Sequence, residues 1–136
     1  MDKKILNITA GKCMNEKMKN EFEEWVPFNE DMSKGEYNSR LFSEEFLLER
    51  SKVHNVNLED YIENMKEFLD VLGKLNDYKL INLWFGEDAV CLSNSETLYN
   101  CLMQYGYKGE LIINIVDEIS LEIQKRFLCN FSNNPF

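Results

Sequence analysis

The chain has 136 residues, 44% of them hydrophobic and 29% charged, which is enough to close an apolar core within one domain spanning residues 1–136. Its 24 acids against 15 Lys and Arg leave a net charge of −9. That balance excludes general binding to nucleic acid or to an anionic membrane, which needs a basic face.

No apolar run approaches the roughly 20 residues that span a bilayer. The opening "MDKKILNITAG" lacks the long apolar segment and cleavage site of a signal peptide. No membrane association is therefore expected, and the cytoplasm is the expected compartment. Cys13, Cys91, Cys101 and Cys129 show no C-x-x-C spacing, and His54 is the single histidine. Reduced, mostly buried thiols are expected, with no structural metal site.

In chain order, residues 4–9 read as a strand broken at Gly11, followed by a helix with Met14, Met18 and Phe22 four apart on one face. Residues 24–28 read as a second strand, and Pro27, which has no N–H to donate, predicts a sheet edge. A polar loop around Gly35 leads to a helix starting near Ser43. In "NLEDYIENMKEFLDVLG", Leu58, Tyr61, Ile62, Met65, Phe68, Leu69 and Leu72 form one helical stripe. Asn57 is placed to cap it and Gly73 to end it in the left-handed conformation.

Residues 79–85 are nearly all apolar, as a strand covered on both faces should be. Ser93 and Glu96 have capping-box spacing ahead of a helix that buries Leu98, Cys101, Leu102 and Tyr105 and closes at Gly106. Residues 110–116 read as a fourth strand. Ile119, Ile123 and Phe127, four apart, predict a last helix, and residues 129–136 a frayed tail.

Strands alternating with helices predict an α/β fold: a three-layer sandwich around a mainly parallel sheet of about four strands, Rossmann-like or flavodoxin-like. The first and third strands are expected side by side, bringing Gly11 near Gly86. Ligands in such sheets bind outside the carboxyl ends of the strands. Those ends carry Gly11-Lys12-Cys13, Asn29-Glu30-Asp31, Gly86-Glu87-Asp88 and Asp117-Glu118, so three of the four end in paired acids.

Glu30, Glu87 and Asp88 are the candidates for a shared acidic crevice. Hard cations such as Mg²⁺ take oxygen ligands, and adjacent carboxylates can drive each other's pKa values apart for acid-base work. The structural alternative has Glu87 facing water or capping a helix while Asp88 bonds the amides of its turn. Gly11, Lys12 and Cys13 open a helix whose free N–H groups attract an anion, although one glycine is neither a P-loop nor a dinucleotide fingerprint. Arg50 is placed either to reach the crevice or to pair with a glutamate on the surface. His54 is expected at a helix terminus, Cys91 in packing or in the crevice wall, and Phe28, Trp84 and Phe85 in the core.

Three motifs resemble the bacterial domain-of-unknown-function family numbered 1835, in the part that begins its longer members. They are "ILNITAGKCM", "FNEDMSKGE" and "LWFGEDA", together covering about residues 4 to 119. Lys12-Cys13 stands where that family has an acid-serine pair, and Glu36 where it usually has Pro. Longer members carry a second domain for which this chain has no room. The resemblance implies the α/β fold and the site's location, and no activity or cofactor.

The reading that follows is a non-catalytic ligand-binding or regulatory domain with an acidic crevice formed by Gly11, Lys12, Cys13, Asn29, Glu30, Arg50, Gly86, Glu87 and Asp88. A small-molecule hydrolase or transferase using the same carboxylates, with Mg²⁺, is the alternative. An accessory module of a transcriptional regulator, without direct nucleic-acid contact, is the third. The sequence names no cofactor, no partner and no oligomeric state.

Overall fold

The computed structural model describes residues 4–136. Its elements run β1 (Ile5–Thr9), α1 (Gly11–Met18), β2 (Glu24–Pro27), α2 (Glu44–Val53), α3 (Leu58–Leu72), β3 (Leu80–Phe85), α4 (Ala89–Gln104), β4 (Glu110–Val116) and β5 (Ile123–Asn130). The sheet order is β2-β1-β3-β4-β5. The first four strands are parallel, and β5 returns antiparallel to β4. This is a mixed α/β fold with a mostly parallel five-stranded sheet. Among the described residues no helix is long and apolar enough to cross a membrane.

Adjacent β1 and β3 agree with the expected topology: Thr9 is in register with Trp84, and the Ala10 N–H donates to the Trp84 carbonyl at 3.0 Å. The Pro27 strand lies at an edge, as its missing donor requires. Register puts Leu6 and Ile8 on the same sheet face as Ile81, Leu83, Leu111 and Val26. These side chains share one core cluster with Met65, Phe68 and Val71 of α3 and Leu98, Cys101 and Leu102 of α4. Phe28 and Phe85 are buried in it, whereas Trp84 is half-buried, stacked on Trp25 and donating to Asn7 Oδ1 at 2.8 Å.

Several expected boundaries are corrected. Helix α1 stops at Met18 and leaves Phe22 71% exposed. Asn20 Oδ1 accepts the N–H groups of Phe22 and Glu23, a side-chain turn that competes with continuing the helix. Asn57 caps α3 as expected, but Gly73 has φ −75°, right-handed, because the chain runs on into a 3-10 turn at Leu75–Asp77. Helix α4 begins at Ala89, so Ser93 lies inside it and Asp88 is the cap.

The predicted last helix is strand β5. The carboxylate of Asp117 accepts the N–H groups of Ile119 and Ser120, and its own N–H bonds the Glu122 carbonyl. These bonds turn the chain into a hairpin, and the open edge of β4 supplies partners that an isolated short helix lacks. The tail is packed rather than frayed. Phe131 is buried against Tyr99 and Tyr107, and Asn134 donates to the Met103 and Tyr107 carbonyls.

Candidate functional site

Two glycine turns stand at the neighbouring ends of β1 and β3. Gly11 has φ +87°, a left-handed conformation that glycine adopts without cost. It opens α1 behind Ala10, whose side chain makes no capping bond. Lys12 and Cys13 are exposed on the first turn.

Across from them, Gly86 is buried and leads to the exposed pair Glu87 and Asp88. Asp88 Oδ1 accepts the Cys91 N–H at 2.8 Å and caps α4, the structural role that its position before a helix allows. Its carboxylate meets Glu118, delivered by the hairpin after β4. Oxygen atoms of Asp88 and Glu118 and the sulfur of Cys91 all lie within 4.8 Å of one another. The Cys91 thiol is 3.7 Å from Glu118 Oε1.

Proton affinities follow from this geometry. The Cys91 N–H holds Asp88 below its ordinary value, and a hydrogen bond from Glu118 adds to the effect. The same hydrogen bond, then burial and the charge of Asp88, raises Glu118. Two carboxyl groups this close are pushed apart in proton affinity, Asp88 toward the charged form and Glu118 toward the protonated one. Burial, with the charges of Asp88 and Glu118 adding to it, pushes the Cys91 thiol up to about 12, so it is no nucleophile at neutral pH.

Glu118 also borders two cavities. One, of about 440 Å³, is lined by Glu87, Asp88, Asp117, Gln124 and neighbours. The other, of about 220 Å³, has Ala10, Cys13, Met14 and Lys17 on its far wall. The two glycine turns therefore face one region, with acids on the β3 side and Lys17 on the α1 side.

Glu30 and Arg50 do not join this crevice. Both are buried, and they pair with each other: Arg50 Nε and Nη2 donate to the two Glu30 oxygens at 3.0 and 2.9 Å. Tyr61 Oη, the Asp31 N–H and His54 Nε2 complete the shell around the carboxylate at 2.5, 2.8 and 2.5 Å. Burial alone would raise the Glu30 pKa, but hydrogen bonds from Arg50, Tyr61 and Asp31 outweigh it and hold Glu30 below its ordinary value. The exposed Arg–Glu pair expected for Arg50 is thus an internal one, and Glu30 has no capacity left for a ligand. Asn29 exchanges amide-to-carbonyl bonds with Asn64 and lines neither cavity beside Glu118.

In the sequence Asp117 and Glu118 end a strand, but the helix expected after them keeps both out of the site. The aspartate-led turn "DEIS" was the available sign of a hairpin. Tyr61 and His54 carried no local signal that they meet Glu30. Comparison with protein-family models, with curated proteins and with solved structures finds no match for the chain.

Proposed function

We propose that the chain is a ligand-binding or regulatory α/β domain whose ligand occupies the crevice between the Gly11 and Gly86 turns. The observation that carries this reading is the position of Glu118, which converges with Asp88 and Cys91 and borders both cavities. Connections leave β1 toward β2 on one side and β3 toward β4 on the other, the switch point at which doubly wound, Rossmann-like or flavodoxin-like sheets bind ligands. The motif resemblance to family 1835 agrees with that location and belongs to the same proposal, as does a cytoplasmic setting.

A non-catalytic role is favoured because Cys91 is held protonated and His54 Nε2 is committed to Glu30. A metal-assisted hydrolase or transferase is the second reading. The convergence of Asp88, Cys91 and Glu118 favours it, and Glu118 then takes the place first given to Glu30.

The test is a thermal-shift screen of Mg²⁺, Mn²⁺, Zn²⁺, adenine nucleotides and small dicarboxylic acids. The wild type is compared with Glu118→Gln and with Asp88→Asn, since Asn caps a helix about as well as Asp. A compound that raises the wild-type melting temperature is expected to bind Glu118→Gln at least about tenfold more weakly, roughly 1.4 kcal/mol. Equal binding by all three proteins removes the crevice from the function.

A further inference from the structure

A further pocket, of about 300 Å³, lies on the α3 side of the molecule and is lined by Asn29, His54, Val56, Asp60, Tyr61 and Asn64. Its construction starts from the buried Glu30. An ionised carboxylate only accepts hydrogen bonds, and a guanidinium only donates them. His54 Nε2 lies 2.5 Å from Glu30 Oε1 and 3.3 Å from Arg50 Nη2, so in a neutral ring the proton sits on Nε2, directed at Glu30. The lone pair is then on Nδ1, on the opposite edge. The ring is further held parallel to Tyr61, with centroids 6.3 Å apart and planes 12° apart, while the Tyr61 hydroxyl bonds the same carboxylate. A buried ion pair is expensive to desolvate, and here it fixes the tautomer and orientation of the one histidine.

Several unspent polar atoms of this pocket are acceptors, beside one remaining N–H on each asparagine amide. Among the described residues, neither His54 Nδ1 nor the Asp60 carboxylate has a hydrogen-bond partner. Asn29 and Asn64 turn their amide nitrogens to each other's main-chain carbonyls, which leaves the Asn64 side-chain oxygen unengaged. A ligand matching such a wall carries several N–H donors and a positive charge. The volume is at the small end for ligand pockets, which suits a molecule of few heavy atoms.

We propose that this pocket binds a small protonated amine, with Asp60 supplying the opposite charge and Nδ1 of His54 accepting one of its N–H groups. The site is separate from the Glu118 crevice and stands or falls independently of it. Two-bond proton–nitrogen NMR spectra of the ¹⁵N-labelled chain give the imidazole of its one histidine without overlap.

The free protein is expected to show the proton on Nε2. Ethanolamine and 1,4-diaminobutane, titrated at constant ionic strength and at a pH where the ring is neutral, are expected to shift Nδ1 saturably. Tetramethylammonium, a cation without N–H, is expected to leave it unmoved. Asp60→Asn, an exposed change whose folding is checked by its melting temperature, is expected to weaken amine binding at least tenfold, while Glu118→Gln leaves it intact. A proton found on Nδ1, no response to either amine, an equal response to tetramethylammonium, or undiminished binding by Asp60→Asn would each overturn the proposal.

Discussion

The carboxyl group of Glu118 occupies the space that any side chain on Gly86 would need: a Cβ built at Gly86 would lie 2.9 Å from both Cγ and Cδ of Glu118. The missing side chain at Gly86 therefore leaves the space in which the hairpin after β4 lays its acid over the end of β3. Gly86→Ala is expected to push Glu118 away from Asp88. In carbon-detected carboxyl titrations, the raised Glu118 pKa should fall toward an ordinary glutamate value while Asp88, still capping α4, stays low. Glu118 has a raised native pKa, so its contribution to stability is present at low pH and lost as pH rises through that value. Glu118→Gln should consequently stabilise the fold at pH 7, by about 0.5 kcal/mol after allowance for solvent screening, as measured by urea unfolding.

Glu30 behaves with the opposite sign. Its native pKa is below the reference value of 4.5, so its stabilisation is fully present above that pH and is lost as pH falls through the lowered native value. Glu30→Gln should flatten the acid limb of a plot of unfolding free energy against pH. Arg50→Met leaves Glu30 buried without its counter-charge and should cost about 3–5 kcal/mol at pH 7. The double variant Glu30→Gln with Arg50→Met should recover part of that loss. An Arg50→Met protein as stable as wild type would mean that the pair is not buried in solution.

The carboxyl-terminal tail gives a sharp contrast between neighbours. Phe131 is 3% exposed and Phe136 is 67% exposed. Phe131→Ala should destabilise by about 3 kcal/mol through the cavity it leaves between Tyr99 and Tyr107. Phe136→Ala should stay within about 0.5 kcal/mol. Equal effects in chemical denaturation would return the tail to the frayed state that its polar composition suggests.

Short-range signals were legible in the sequence. The apolar runs of β1, β3 and β4, most of the stripe along α3 (Ile62 is exposed and Val71 buried instead), the cap at Asn57 and the turns at Gly11 and Gly86 depend on periodicity and on bonds spanning three or four residues. Alternation of strands with helices then implied the neighbouring placement of β1 and β3. Even here, local rivals misled: Asn20 ends α1 with a side-chain turn, and Asp88 caps α4 five residues before the apparent capping box at Ser93.

Tertiary structure decided the rest, because its causes lie far apart along the chain. Whether residues 123–130 become helix or strand depends on the open edge of β4, which the segment's own four-residue spacing cannot reveal. Glu30 meets Arg50 and Tyr61 across 20 and 31 positions, and Asn94 binds the Glu30 carbonyl across 64. A carboxylate in the sequence is equally suited to a crevice or to a buried pair. The choice is made by which donors the packed core brings to it, since a charge removed from water must be matched where it comes to rest.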